Sequence, residues 1–175
     1  MDPRHLSWFT GAVACIAAPA FATTYFSVEE AQQVLFPQQV LIAANATLAD
    51  AQARSVEAAS GVRVRERNVQ RWRAADGGWF YLDQVIGKHE YITYALALDA
   101  TGAVRGLEIL RYNESYGQQV RNPQWRAQFT AKRNGDTVRL AKDIVNLSGA
   151  TLSCRNLTDG VRRLLATHAV LAAGG

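Results

Sequence analysis

The residues best able to do chemistry lie between Asp143 and Arg155, where the chain reads Asp-Ile-Val-Asn-Leu-Ser-Gly-Ala-Thr-Leu-Ser-Cys-Arg. Ser148-Gly149-Ala150 is a small-residue turn that leaves the backbone open to close approach, and Gly149 can take a positive φ. A helical pattern begins at Thr151 and runs to about Leu171. A helix start offers unpaired N–H groups and the positive end of a dipole. That combination is a place for a phosphate, and Thr151 adds a hydroxyl at the same spot. The same residues also make an ordinary helix start, with Ser148 or Thr151 as the N-cap, because Ser and Thr are preferred there in any case.

Other reactive residues are sparse. Cys154, His89 and His168 are far apart and show no zinc spacing, so no metal site is expected. Ser148, Ser153 and His168 are hydrolase residue types, but no Gly-x-Ser-x-Gly elbow surrounds either serine. The net charge of +4 is mild and the arginines are dispersed, so no nucleic-acid partner is expected. Such an excess suits solubility or local binding of an anionic cofactor.

These residues need a scaffold to position them. With 49% hydrophobic and 19% charged residues, the chain can bury a core and does not have a disordered composition. Ser27 and Glu30 form a capping box for a helix that ends before Pro37, with Val28, Ala31, Val34 and Leu35 as its apolar face. A second helix starts near Thr47–Asp50 and ends at Gly61. Val62, Val64 and Val69 alternate with Arg63, Arg65 and Arg67, which predicts a half-exposed strand with a solvated arginine side. Strands follow at Trp79–Ile86, Tyr91–Leu98 and Val104–Tyr112, separated by Gly87–Glu90 and Asp99–Gly102. Asn122-Pro123 starts a short helix, and Thr137–Leu140 reads as a short strand. The last helix presents Leu157, Val161, Leu164, Leu165 and His168, with Arg162 and Arg163 outside and Gly160 as a weak point. The expected fold is α+β: an antiparallel meander flanked by helices. Residues 23–70 form a helical region and first strand, packed as one unit with residues 71–175.

Residues 1–22 read as a signal peptide. A short start with Arg4 precedes an apolar run from Leu6 to Pro19, and Ala20-Phe21-Ala22 fits the small-x-small cleavage rule. The run is short for a bilayer span. Ala12 stands where a lipobox before Cys15 would have Leu. After cleavage only Cys154 remains, so no internal disulfide is expected.

Ser148-Gly149-Ala150-Thr151-Leu152-Ser153 resembles the flavinylation motif of the FMN-binding domain family, which includes flavin subunits of the sodium-pumping quinone reductase and of the Rnf complex. Asn113-Glu114-Ser115-Tyr116-Gly117 is similar to that family's Glu-Thr-x-Gly loop, and Asn122-Pro123-Gln124-Trp125 to its Asn-Pro-x-Trp helix start. The three motifs stand in family order within about Trp79 to Leu165. Ser115 replaces the usual Thr, and Val145 stands where the family motif usually has Asp.

The resemblance implies FMN held by a phosphoester to Thr151, with Ser148, Gly149, Ala150, Leu152 and Ser153 around the phosphate. It also implies that Glu114, Ser115, Tyr116 and Gly117 lie near the flavin. Trp79, Tyr91 and Trp125 are candidates to stack on its ring, although an ordinary core aromatic is the commoner role for each, and Lys88, His89 and Arg121 are candidate cations beside it. It further implies a separate flavin transferase using FAD and a divalent metal ion, and a membrane or periplasmic redox partner. The expected protein is an extracytoplasmic electron carrier with no catalytic acid or base of its own. The competing expectation is an exported non-redox binding module for a small ligand or a protein, with the 148–153 run as a helix cap only. For export, N-terminal sequencing of the secreted protein should begin at Thr23. Intact Met1, or a lipidated Cys15, would overturn that expectation.

Overall fold

The computed structural model describes residues 23–113 and 117–174. The leader, residues 1–22, and Glu114, Ser115 and Tyr116 therefore lie outside the described residues. The strands are β1 (Thr23–Thr24), β2 (Leu41–Ala43), β3 (Ala46–Thr47), β4 (Asn68–Ala74), β5 (Trp79–Ile86), β6 (Tyr91–Leu98) and β7 (Val104–Tyr112). The α-helices are α1 (Val28–Leu35), α2 (Asp50–Ser60), α3 (Pro123–Ala127) and α4 (Thr151–Ala173), and a 3-10 turn spans Gln118–Arg121.

The fold is the expected α+β arrangement. Strands β4 to β7 form an antiparallel meander through three short turns. The sheet order is β1-β7-β6-β5-β4-β2, with β3 also pairing β4. Along β6 the two faces alternate as a strand requires. Tyr94 and Leu96 meet Leu157, Val161 and Leu165 of α4. Ala95 and Ala97 meet Ala31, Leu35 and Phe36 at the other face. The sheet is thus covered on both sides, and α2 packs Ala53 and Val56 against Ala166 of α4.

Local signals account for the helix ends. Ser27 Oγ accepts from the Glu30 N–H at 3.1 Å, and Glu30 Oε2 accepts from the Ser27 N–H at 2.7 Å. Gly61 ends α2 in the left-handed region at φ +66°.

Four expectations are corrected. Val34 is 52% exposed, because only the strip through Ala31 and Leu35 faces the sheet and Val34 lies about 100° round the helix from Leu35. Residues 62–67 form no strand. The Val62 N–H donates to Ser60 Oγ at 3.1 Å and the Val64 N–H to Glu57 Oε1 at 2.8 Å, so local side chains take the place of a ladder. Residues 137–140 form no strand either. Ala141 turns at φ +61° and leaves one isolated bridge, Leu140 to Ile144. Finally, Arg162 and Arg163 do not face outward. Arg162 donates to the carbonyls of Ser60 and Val138 at 2.6 and 2.7 Å, and Arg163 Nη2 lies 2.5 Å from Asp83 Oδ2. Tyr94 Oη donates to the same Asp83 oxygen at 2.7 Å, and burial raises the Tyr94 pKa so that it stays a donor.

Gly160 sits above this cluster. A Cβ there would lie 2.6 Å from Tyr94 Oη and 2.7 Å from Val85 Cγ1. In an open helix Gly→Ala would stabilise by about 1 kcal/mol. Here the added methyl must push α4 off the sheet or break the Tyr94–Asp83 bond. Gly160→Ala should therefore lower stability by about 1–3 kcal/mol in denaturant unfolding. A gain in stability would show that the helix has room to lift.

Candidate functional site

The site is built from the end of β7, from α3, and from the segment leading into α4. Helix α3 is short, so its placement rests on its ends and side chains. Asn122 Oδ1 accepts from the Gln124 N–H at 2.8 Å, and Pro123 occupies the first turn. Arg126 pairs with Glu108 of β7, and its Nη1 donates to the Leu107 carbonyl at 2.6 Å. Trp125 is buried edge-on against Phe129.

From that base α3 grips the approach to α4. Trp125 Nε1 donates to the Val145 carbonyl at 2.7 Å, and the Val145 N–H donates to Gln128 Oε1 at 2.8 Å. Both backbone groups of Val145 are taken, and its side chain points out, 63% exposed. Two residues earlier, Asp143 accepts from Lys132 Nζ at 2.7 Å and from the Arg139 N–H at 2.8 Å. Burial opposes its ionisation, but the bonds from Lys132 and Arg139 prevail and hold its carboxyl below the ordinary value. Asp143 is thus committed to folding its own turn.

The segment then reaches α4. Gly149 takes φ +79°, as its place in the turn requires. The N-cap is Ala150, with no side-chain cap bond, so neither Ser148 nor Thr151 caps the helix. Thr151 is the first helical residue and is exposed, as are Ser148 and Gly149, while Ala150 is buried. Asn146 Nδ2 donates to Thr151 Oγ1 at 3.1 Å. Leu152 is 42% exposed beside it. Ser153 turns inward, and its Oγ lies 2.9 Å from Tyr112 Oη at the end of β7. Gly117, at φ +90°, closes over this pair. A Cβ there would collide with Tyr112 Oη and come within 2.7 Å of Ser153 Oγ. The structure therefore brings Gly117 against the first turn of α4. Asn113 Oδ1, just after β7, is buried with no hydrogen-bond partner among the described residues.

Residues 87–166 match the family model of the FMN-binding domain. This segment belongs to the FMN-binding domain family. No curated protein matches the chain. The residues present fit the cofactor that the family binds. The first turn of α4 has no side-chain cap from its N-cap residue and carries an exposed hydroxyl, Gly149 keeps a side chain out of the approach, and Asn113 Oδ1 is a buried acceptor without a partner among the described residues.

The other candidates of the FMN-binding domain separate by position. Trp79 lies against His168, which is 17 residues along α4 from Thr151, about 25 Å at the helical rise. It cannot stack on a ring tethered at Thr151. Arg71 and Arg73 lie over its ring, 4.5 and 4.7 Å from the ring centre. His168 shares a 2.9 Å hydrogen bond with Tyr81, and burial, then Arg71 and Arg73, push its pKa down. Trp125 is spent on gripping Val145, and Arg121 lies over the Tyr25 ring. Tyr91 is exposed, next to the Gly87–Glu90 turn that holds Lys88 and His89. That turn docks on α4 through Asn156 Nδ2, which donates to the carbonyls of Ile86 and Gly87 at 2.6 and 3.1 Å. Cys154 is fully buried, and burial pushes its thiol pKa up. Sequence reading gave no role to Asn146, Gln128 or Asn113, although Asn113 opens the quoted loop motif and Asn146 lies in the 143–155 stretch.

Gly117→Ala should displace the backbone at Gly117 and change the visible spectrum of the FMN-loaded protein. Adding Ser153→Ala removes one of the two obstructing atoms and should restore part of the wild-type spectrum. An unchanged spectrum in Gly117→Ala would separate Gly117 from the flavin.

Proposed function

We propose that the protein is an extracytoplasmic flavoprotein that carries FMN on Thr151 through a phosphoester and transfers electrons between redox partners. The observation that supports this best is the exposed Thr151 hydroxyl on the uncapped first turn of α4, inside an FMN-binding domain. FMN supplies the redox chemistry. The chain supplies position and electrostatics. The N–H groups of Thr151, Leu152 and Ser153, with the positive end of a 23-residue helix, favour the phosphate charge. Gly149 lets the phosphate approach the backbone. No side chain is required as a general acid or base in electron transfer. Maturation uses a flavin transferase with FAD and a divalent metal ion. Electrons arrive from a membrane redox partner and leave to an extracytoplasmic acceptor.

The test is peptide mass mapping after co-expression with a flavin transferase. Thr151→Ala should abolish attachment and leave a folded apoprotein, within about 0.5 kcal/mol of wild type, because this exposed side chain caps nothing. Thr151→Ser should retain some attachment, and Gly149→Val should block it, since a β-branched residue resists φ +79°. Cys154→Ala should leave attachment intact. An unmodified Thr151 peptide, with the transferase active on another target, would overturn the covalent reading and favour a non-redox binding module.

A further inference from the structure

We infer that Asn146 is a positioning residue for flavin attachment: it holds the Thr151 hydroxyl oxygen outward and keeps its O–H free to react. The inference rests on the covalent reading above. Its basis is the 3.1 Å bond from Asn146 Nδ2 to Thr151 Oγ1, and the grip of α3 that fixes the backbone one residue before Asn146.

A threonine hydroxyl in a helix tends to turn back and donate to the carbonyl three or four residues earlier. Thr151 is the first helical residue, so the carbonyls of Ser148 and Leu147 toward which it could turn lie in the turn before the helix. A hydroxyl turned there would hide its proton and its lone pairs from an incoming phosphorus. The Asn146 amide competes with that orientation by donating to one Oγ1 lone pair. A hydroxyl has one O–H and two lone pairs, so with Asn146 on one lone pair the proton and the second lone pair remain available to a reactant.

The chemistry requires that geometry. Thr151 Oγ forms a bond to the phosphorus on the FMN side of the FAD pyrophosphate. The P–O bond to the AMP half breaks, AMP leaves with the electron pair, and the Thr151 proton passes to a base of the transferase. In the product Oγ is an ester oxygen and can only accept. The Asn146 amide donates to the hydroxyl before the reaction and can donate to the ester oxygen after it. A carboxylate at 146 would instead repel the phosphate. Val145 cannot orient Thr151, since it is apolar and points outward, and Asp143 is engaged by Lys132 and the Arg139 N–H.

Attachment kinetics followed by intact mass, with purified transferase, FAD and Mg2+, test the inference on the full mature chain. Asn146→Ala should lower the maximal attachment rate about tenfold or more while changing the KM for the acceptor protein less than about twofold. Asn146 is exposed, so the variant apoprotein should melt within about 2 °C of wild type. Serine lacks the γ-methyl that restricts threonine, so its hydroxyl depends more on the amide. The same substitution should therefore cost a larger factor in a Thr151→Ser background. An equal factor in both backgrounds, a loss confined to KM, or an unchanged rate would overturn the positioning role. Failure of wild-type Thr151 to take FMN would overturn the covalent reading as well, whereas wild-type attachment with an unaffected Asn146→Ala would overturn this inference alone.

Discussion

The height of α4 above the sheet is the constraint on which the site depends. Gly160 lets the helix axis approach Tyr94 and Val85 more closely than any other residue would allow. Below it, Arg163 reaches Asp83 and Tyr94 reaches the same carboxylate, which fixes the rotation of the helix as well as its height. Because α4 is long and stiff, seating its middle also sets both of its ends. One end brings His168 to Tyr81 and the arginine-flanked Trp79. The other brings Ser153 to Tyr112 and exposes Thr151.

The segment before Thr151 has almost no regular structure, so its order must come from specific ties. Fixing one residue costs about 1–2 kcal/mol in backbone entropy. The two bonds at Val145 contribute about 1 kcal/mol each and so roughly order that residue alone. The rest of the turn depends on the bonds of Asp143 to Lys132 and the Arg139 N–H, and on the burial of Ile144 and Ala150. Helix α3 stands at the centre of this arrangement. The Asn122-Pro123 start, the Trp125 indole and the Gln128 amide are close in sequence, yet they act on a segment about twenty residues further on.

The regular parts of this fold were legible because their signals are local. The meander strands end at glycine or aspartate turns, and β5, β6 and β7 carry the aromatic and β-branched residues that strands favour. The capping box at Ser27 and the Gly61 stop read directly. Residues 62–67 misled because alternation also arises where side chains of Ser60 and Glu57 satisfy the backbone in place of a partner strand. Arg162 and Arg163 misled because a charge on a helix is ordinarily solvated, and only the tertiary position of Asp83 draws Arg163 inward. At the site, the small-residue turn and Thr151 were legible as a motif. The Asn146 contact was not, since a single Asn five residues before a Thr has no periodic or turn signature. Trp79, readable from sequence as either a flavin neighbour or a core aromatic, stands at the far end of α4 from Thr151. Its distance from Thr151 is set by the length of α4, which no motif encodes.

The grip on Val145 acts through its carbonyl and N–H, not through its side chain. Any residue other than proline presents those two groups in the same way. The fold is therefore nearly blind to which side chain stands at 145, even though the position is structurally fixed. A change there leaves the shape of the loop alone and alters only the face shown to whatever approaches Thr151. Evolution can revise recognition at this position without first repairing the scaffold, so the pressure that keeps or replaces Val145 comes from outside the molecule.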